Sequence, residues 1–158
     1  MNIVDFFNMF QYYGYAGAFL VSLLGTSTII LPLPFYGVIF FMAGFLNPLL
    51  LILVSSVGAA IGELIGYIVG YGAGKLLIKK YKKFFKLGGE WFHKNGFLTV
   101  LVFAALPLPD DIIGLIAGSL KYNKTKYFMA CLIGKIILTT VIVISASYSF
   151  EMILNYVG

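Results

Sequence analysis

Apolar positions dominate the chain from residue 17 onward, and the places where they break off organise it. Two runs, 49–74 and 127–150, continue without a turn signal, and each holds a single charged residue, Glu63 in one and Lys135 in the other. Each is longer than the roughly 20 apolar residues a helix needs to cross a bilayer core. They predict two crossing helices, over 48–78 and 124–156. Two further apolar runs are interrupted at their centres. Residues 17–46 read GAFLVSLLGTSTII, then LPLP, then FYGVIFFMAGFL; residues 96–120 read GFLTVLVFAA, then LPLP, then DDIIGLIAGSL. Proline removes a backbone donor, clashes with the preceding turn and pushes the residue before it out of the helical region. Pro32 with Pro34, and Pro107 with Pro109, therefore stop a helix rather than kink it. The pieces on either side are about 9–15 residues, or roughly 14–22 Å at 1.5 Å per residue, too short to span alone. The pattern predicts two broken hairpins, 15–46 and 96–120, each entering and leaving by one face.

Composition agrees with a membrane-embedded chain. Of 158 residues, 61% are hydrophobic and 11% are charged, which is unlike a soluble domain of this size. The opening stretch MNIVDFFNMFQYYG (1–14) has no basic residue and no cleavage-like site. It is expected to be an interfacial helix with its aromatic side chains in the headgroups rather than a signal peptide. Residues 79–95 form a basic segment in which lysines alternate with Tyr81, Phe84, Phe85 and Trp91. That mixture predicts an amphipathic helix on anionic lipid, not a nucleic-acid surface. The lone cysteine, Cys131, excludes an internal disulfide and reads as a small buried apolar residue. His93, the one histidine, reads as a solvated interface residue.

Charge decides the topology. Lys75, Lys79, Lys80, Lys82, Lys83, Lys86 and Lys94 precede the second broken run, and Lys121, Lys124 and Lys126 come after it. If the hairpins are re-entrant, both groups lie on one side. If all four runs crossed, they would be split. The positive-inside rule selects the re-entrant arrangement, with the basic loops cytoplasmic and both termini outside, in a multi-pass cell-membrane protein. LPLPFYGVIFFMAG (31–44) also matches LPLPDDIIGLIAG (106–118) with one gap, and each is succeeded by a crossing helix with a glycine–charge pair, Gly62–Glu63 or Gly134–Lys135. The expected fold is a single all-α integral membrane domain over 1–158. It is built from two inverted-topology repeats, each a proline-broken re-entrant hairpin followed by a long transmembrane helix.

The glycine-rich helix GAAIGELIGYIVGYGAGK (58–75) and the two proline hairpins, each ending in Ala–Gly, resemble the DedA family, also known as the VTT-domain or SNARE-associated Golgi protein family. The PLPDD…GK pattern resembles an archaeal-type branch. Phe35 and Tyr36 stand where many bacterial members carry a glutamate, and Asp110 and Asp111 come after the second hairpin's prolines in place of arginines around them. The resemblance implies a membrane lipid transporter, flippase- or scramblase-like, for a lipid phosphate such as a polyprenyl-phosphate carrier or a phospholipid.

The residues themselves supply candidates. Gly58, Gly62, Gly66, Gly70 and Gly74 recur every fourth position, a groove for a hairpin or a partner subunit. Glu63 and Lys135 fall at membrane depth, where an ionisable group is costly and marks function or an ion pair. Asp110, Asp111 and Glu63 are the carboxylates open to Lys135. The adjacent aspartates also fit the start of the hairpin's second helix, where the dipole favours negative charge. These four charged residues are the candidates for substrate or ion coupling. Membrane lipids with anionic headgroups or lipid phosphates are the expected partners. Protons or cations are the candidate coupling ions, a homo-oligomer is a candidate assembly, and no nucleic acid is expected. No cofactor, metal site or enzymatic activity is expected: the sequence has no Ser–His or Cys–His set, and two aspartates alone are too few oxygens for Mg²⁺. The competing expectation is a proton-coupled exporter of small solutes or drugs.

Overall fold

The computed structural model describes residues 3–27, 35–80, 82–106 and 111–157. These form six helices: α1 (Ile3–Ser27), α2 (Phe35–Met42), α3 (Pro48–Lys80), α4 (Lys82–Ala105), α5 (Asp111–Ser119) and α6 (Lys124–Val157). The described residues contain helices and short turns and no strand. Pro48–Gly74 of α3 and Lys124–Met152 of α6 are long and apolar enough to cross a membrane. At 1.5 Å per residue they measure about 40 Å each. The outer face of α6 shows an exposed stripe of Ile133, Ile137, Val141, Ile144, Tyr148 and Met152, at helical spacing, as expected of a face that meets lipid. The prolines Pro32, Pro34, Pro107 and Pro109, with Asp110, lie outside the described residues.

Asparagines start three of the helical stretches. The Asn47 side-chain oxygen accepts from the backbone N–H of Leu49 at 3.0 Å and of Leu50 at 3.3 Å, ahead of a proline in the first turn of α3. Asn123 accepts from the Lys126 N–H at 2.9 Å at the start of α6. Asn95 leaves helical geometry inside α4 (φ −161°, ψ 85°) and caps the next helical turn by accepting from the Leu98 N–H at 3.3 Å. α4 is thus two helices joined at a bend, a basic one before Asn95 and an apolar one after it.

The N-terminal segment departs from the expectation of a separate interfacial helix over 1–14. It is continuous with the first limb of the broken run in one 25-residue helix, α1. Gly14 and Gly17 are the only weak points at the expected boundary, and a glycine costs a helix only about 1 kcal/mol. Gly14 also seats the Leu46 side chain, and the Asn47 N–H donates to the Tyr15 hydroxyl at 2.9 Å. Tyr15 therefore lies level with the start of α3, and about three turns of α1 extend beyond it.

Glycines set how the helices lie. On α3, Gly58 faces the Phe19 backbone and Gly62 faces Leu23 and Thr26, so α1 runs parallel to α3 along its first half. Further along the same helix, Gly70 faces Leu115 and Gly74 faces Ser119, so α5 runs parallel to the second half. Gly66 is buried between these contacts. The small-residue groove thus receives two helices end to end. Hydroxyls fasten both: Thr26 donates to the Ala59 carbonyl at 2.9 Å, and Ser119 to the Gly70 carbonyl at 3.1 Å. On α6, Gly134 packs against Leu101 and Ala104 of α4. α2 returns antiparallel to α1, from Phe35 against Gly25 to Gly44, just past its end, against Phe150 of α6.

Each half-helix pair therefore places one limb on α3 and one on α6. The α1–α2 pair opens at the end where α3 begins and α6 ends. The α4–α5 pair opens at the opposite end, where Gly96 meets Tyr122 and the Lys121 ammonium lies 5.8 Å from the Tyr71 ring centroid. Both lysine groups of the sequence gather at that second end. Tyr122 packs there edge-on against Phe92 at 5.4 Å, and burial raises its phenol pKa.

Candidate ion-pair centre

Glu63 and Lys135 sit close to the midpoints of the two long helices, each beside the glycine that seats a hairpin limb. That placement turns the two side chains toward each other. The Lys135 ammonium lies 2.5 Å from the Glu63 carboxylate, with both side chains at most 2% exposed. Two opposite charges in a water-excluded site attract far more strongly than at a surface, and each would be expensive to bury without the other. Among the described residues, the Glu63 carboxylate on the neighbouring crossing helix pairs with Lys135.

Residues from three helices complete the centre. Lys135 donates to the Tyr36 hydroxyl of α2 at 3.2 Å, with its ammonium 5.9 Å from the Tyr36 ring centroid. The Tyr127 hydroxyl donates to the Glu63 backbone carbonyl at 3.4 Å, and its ring lies 5.1 Å from that of Tyr67. Cys131 is fully buried, within hydrogen-bonding reach of Glu63 and Tyr127. Tyr127, Cys131 and Lys135 occur at every fourth position of α6, so they form one inward stripe. That spacing was the available signal for Tyr127 and Cys131. For Tyr36 the signal was weaker: it stands at the repeat position where the second hairpin has an aspartate.

The broken ends gather at this height. Thr26 and Ser27, the last residues of α1, lie against Gly62, and Ala104, near the end of α4, lies against Gly134. Tyr36 in the first turn of α2 reaches Lys135, and Gly114 in the first turn of α5 faces Gly66 and Tyr127. Asp111 opens α5; its side chain and the whole of Asp110 lie outside the described residues. Chemically, the centre offers a carboxylate, an ammonium and phenols within one contact network.

The family model for the VTT domain matches residues 31–148. The match takes in α2 through most of α6, hence the second limb of the first pair, the whole second pair and both long helices. Neither a curated protein nor a solved structure matches the chain. From this match, and from helices built to cross a bilayer, the chain belongs to the VTT-domain family, the DedA or SNARE-associated Golgi proteins, membrane proteins implicated in membrane transport and lipid homeostasis.

Proposed function

We propose that this protein moves a lipid phosphate, such as a polyprenyl-phosphate carrier or a phospholipid, across the bilayer in a flippase- or scramblase-like manner, coupled to protons or cations. The observation that carries the reading is the meeting of four half-helix ends at the Glu63–Lys135 pair, near the midpoints of both crossing helices. Transporters built from inverted repeats place their site at such a junction, where broken helices free backbone groups at mid-membrane. The opposite openings of the two half-helix pairs support reading them as re-entrant hairpins of an inverted repeat. Lysines at one end support a cytoplasmic placement for that end, with both termini outside.

The topology has a direct check. Lys83→Cys and Lys124→Cys should react with a membrane-impermeant thiol reagent from the same, cytoplasmic side, and Asn47→Cys from the other. Reaction of positions 83 and 124 from opposite sides would remove both the re-entrant reading and the repeat.

Transport itself is tested in proteoliposomes. Labelled lipid phosphate should cross at a rate that depends on the protein and on pH. Asp110→Asn with Asp111→Asn should keep a monodisperse protein, since Asn caps a helix about as well as Asp, yet lose flux or its pH dependence. Movement of a labelled small cationic solute without lipid would instead favour a proton-coupled exporter.

A further inference from the structure

Away from the ion-pair centre, the bend in α4 opens a cleft of about 420 Å³ lined by Glu90, Trp91, Lys94, Asn95, Leu98, Thr99, Val102 and Phe103. Its lining is graded. Glu90, Lys94 and Asn95 form the polar end, on the basic helix that precedes the bend. Leu98, Val102 and Phe103 continue down the apolar helix beyond it, about 12 Å from Asn95 to Phe103 at 1.5 Å per residue. The bend is held: the Thr99 hydroxyl donates to the Asn95 carbonyl at 3.0 Å and to the Trp91 carbonyl at 3.3 Å. The Trp91 ring stands edge-on to Phe103 at 6.3 Å. Trp91 is 57% exposed and Leu98 52% exposed, so among the described residues nothing covers the cleft.

We propose that this cleft binds one phospholipid with an amine-bearing zwitterionic headgroup. A polar mouth above an apolar channel fits an amphiphile lying along the bilayer normal, with its headgroup at the interface and a chain beside Leu98 and Val102. The charges select the headgroup. Glu90 is the one carboxylate in the basic stretch 75–96 and it lines the cleft together with Lys94. An anionic lipid would meet Lys94 but be repelled by Glu90. A zwitterionic headgroup satisfies both, its ammonium at Glu90 and its phosphate at Lys94 with the Asn95 amide. The surrounding lysines attract anionic lipid to the whole face, whereas the cleft selects locally against it. This site does not rest on the transport reading, and an absence of lipid flux would leave it standing.

Trp91 is the only tryptophan in the chain, so the fluorescence comes from a residue that lines this cleft. The full-length protein is reconstituted into phosphatidylglycerol vesicles containing a brominated-chain phosphatidylethanolamine. The mirror sample uses phosphatidylethanolamine vesicles with brominated-chain phosphatidylglycerol at the same mole fraction. Quenching by the brominated phosphatidylethanolamine should be about fivefold stronger, the scale of one charge contact at a membrane surface. Glu90→Gln should bring the ratio close to one, whereas Lys94→Gln should weaken quenching by both lipids and keep the preference. Both residues are exposed, so an unchanged elution position on size-exclusion chromatography is expected for each variant. Equal quenching by the two lipids in the unaltered protein would mean only bulk annular lipid. Stronger quenching by phosphatidylglycerol would mean adsorption on the basic face. Either result, or a preference that survives Glu90→Gln, overturns the proposal.

Discussion

Lys135→Met is expected to lose about 3–5 kcal/mol of stability, the typical cost of breaking a buried ion pair from one side. The Glu63 carboxylate would keep its buried position, with 3% of the residue exposed, and lose the ammonium now 2.5 Å away. Glu63→Gln should also destabilise, by removing the carboxylate that lies 2.5 Å from the Lys135 ammonium. The double variant Glu63→Gln with Lys135→Met removes both charges, and apolar or neutral replacement of a buried pair is often close to neutral for stability. It should recover a monodisperse peak and most of the thermal stability in detergent. Transport separates the two roles of the pair. If the charges serve only the fold, the double variant transports at the unaltered rate. The coupling role proposed for the pair requires the folded double variant to lose flux or its response to pH.

Gly118→Ala and Gly70→Ala should each lose assembly, whereas Gly72→Ala should not. A Cβ on Gly118 would overlap the Tyr67 carbonyl oxygen and lie 2.7 Å from the Tyr71 nitrogen. A Cβ on Gly70 would overlap the Leu115 carbonyl oxygen and lie 2.8 Å from its Cα. In both cases the obstacle is backbone of a packed helix, which cannot turn aside as a side chain can. Overpacking of this kind costs about 1–3 kcal/mol or forces the helices apart. Gly72, two residues along the same helix, has nothing within 4 Å of its Cβ position. Alanine there should gain about 0.8–1 kcal/mol from helix propensity. Thermal unfolding of the three variants in one detergent would show opposite signs at positions 70 and 72. Equal tolerance at all three would mean that α5 does not seat in the glycine groove.

Pattern alone was sufficient for the helical character of the chain and for its two bilayer-length helices. Uninterrupted apolar runs of that length have few alternatives, because backbone hydrogen bonds in a bilayer must be satisfied within the segment. The same local reasoning failed at the N-terminus. The aromatic stretch suggested a separate helix over 1–14, but one helix continues through Gly14, which packs on Leu46, and Tyr15, whose hydroxyl accepts from the Asn47 N–H. The asparagine at 95 carried no decisive mark either. Its departure from helical geometry shows only in the folded chain, where the apolar half of α4 packs on Gly134 of α6.

The candidate site divides along the same line. Residue type and depth were enough to single out Glu63 and Lys135, since a charge in an apolar run must find a partner. They were not enough to choose among Glu63, Asp110 and Asp111. Glycine spacing likewise announced a groove on α3 without saying what fills it. Tertiary structure filled the groove and supplied Lys135 with a carboxylate: α1 and α5 share the groove end to end, and α6 lies beside α3 with Lys135 at the height of Glu63. It also brought Tyr36 from 99 residues away to the Lys135 ammonium. Periodicity within a helix is set by local geometry and can be read along a single stretch of sequence. Which faces meet, and at what height, depends on the summed packing of several helices, and no single segment encodes that sum.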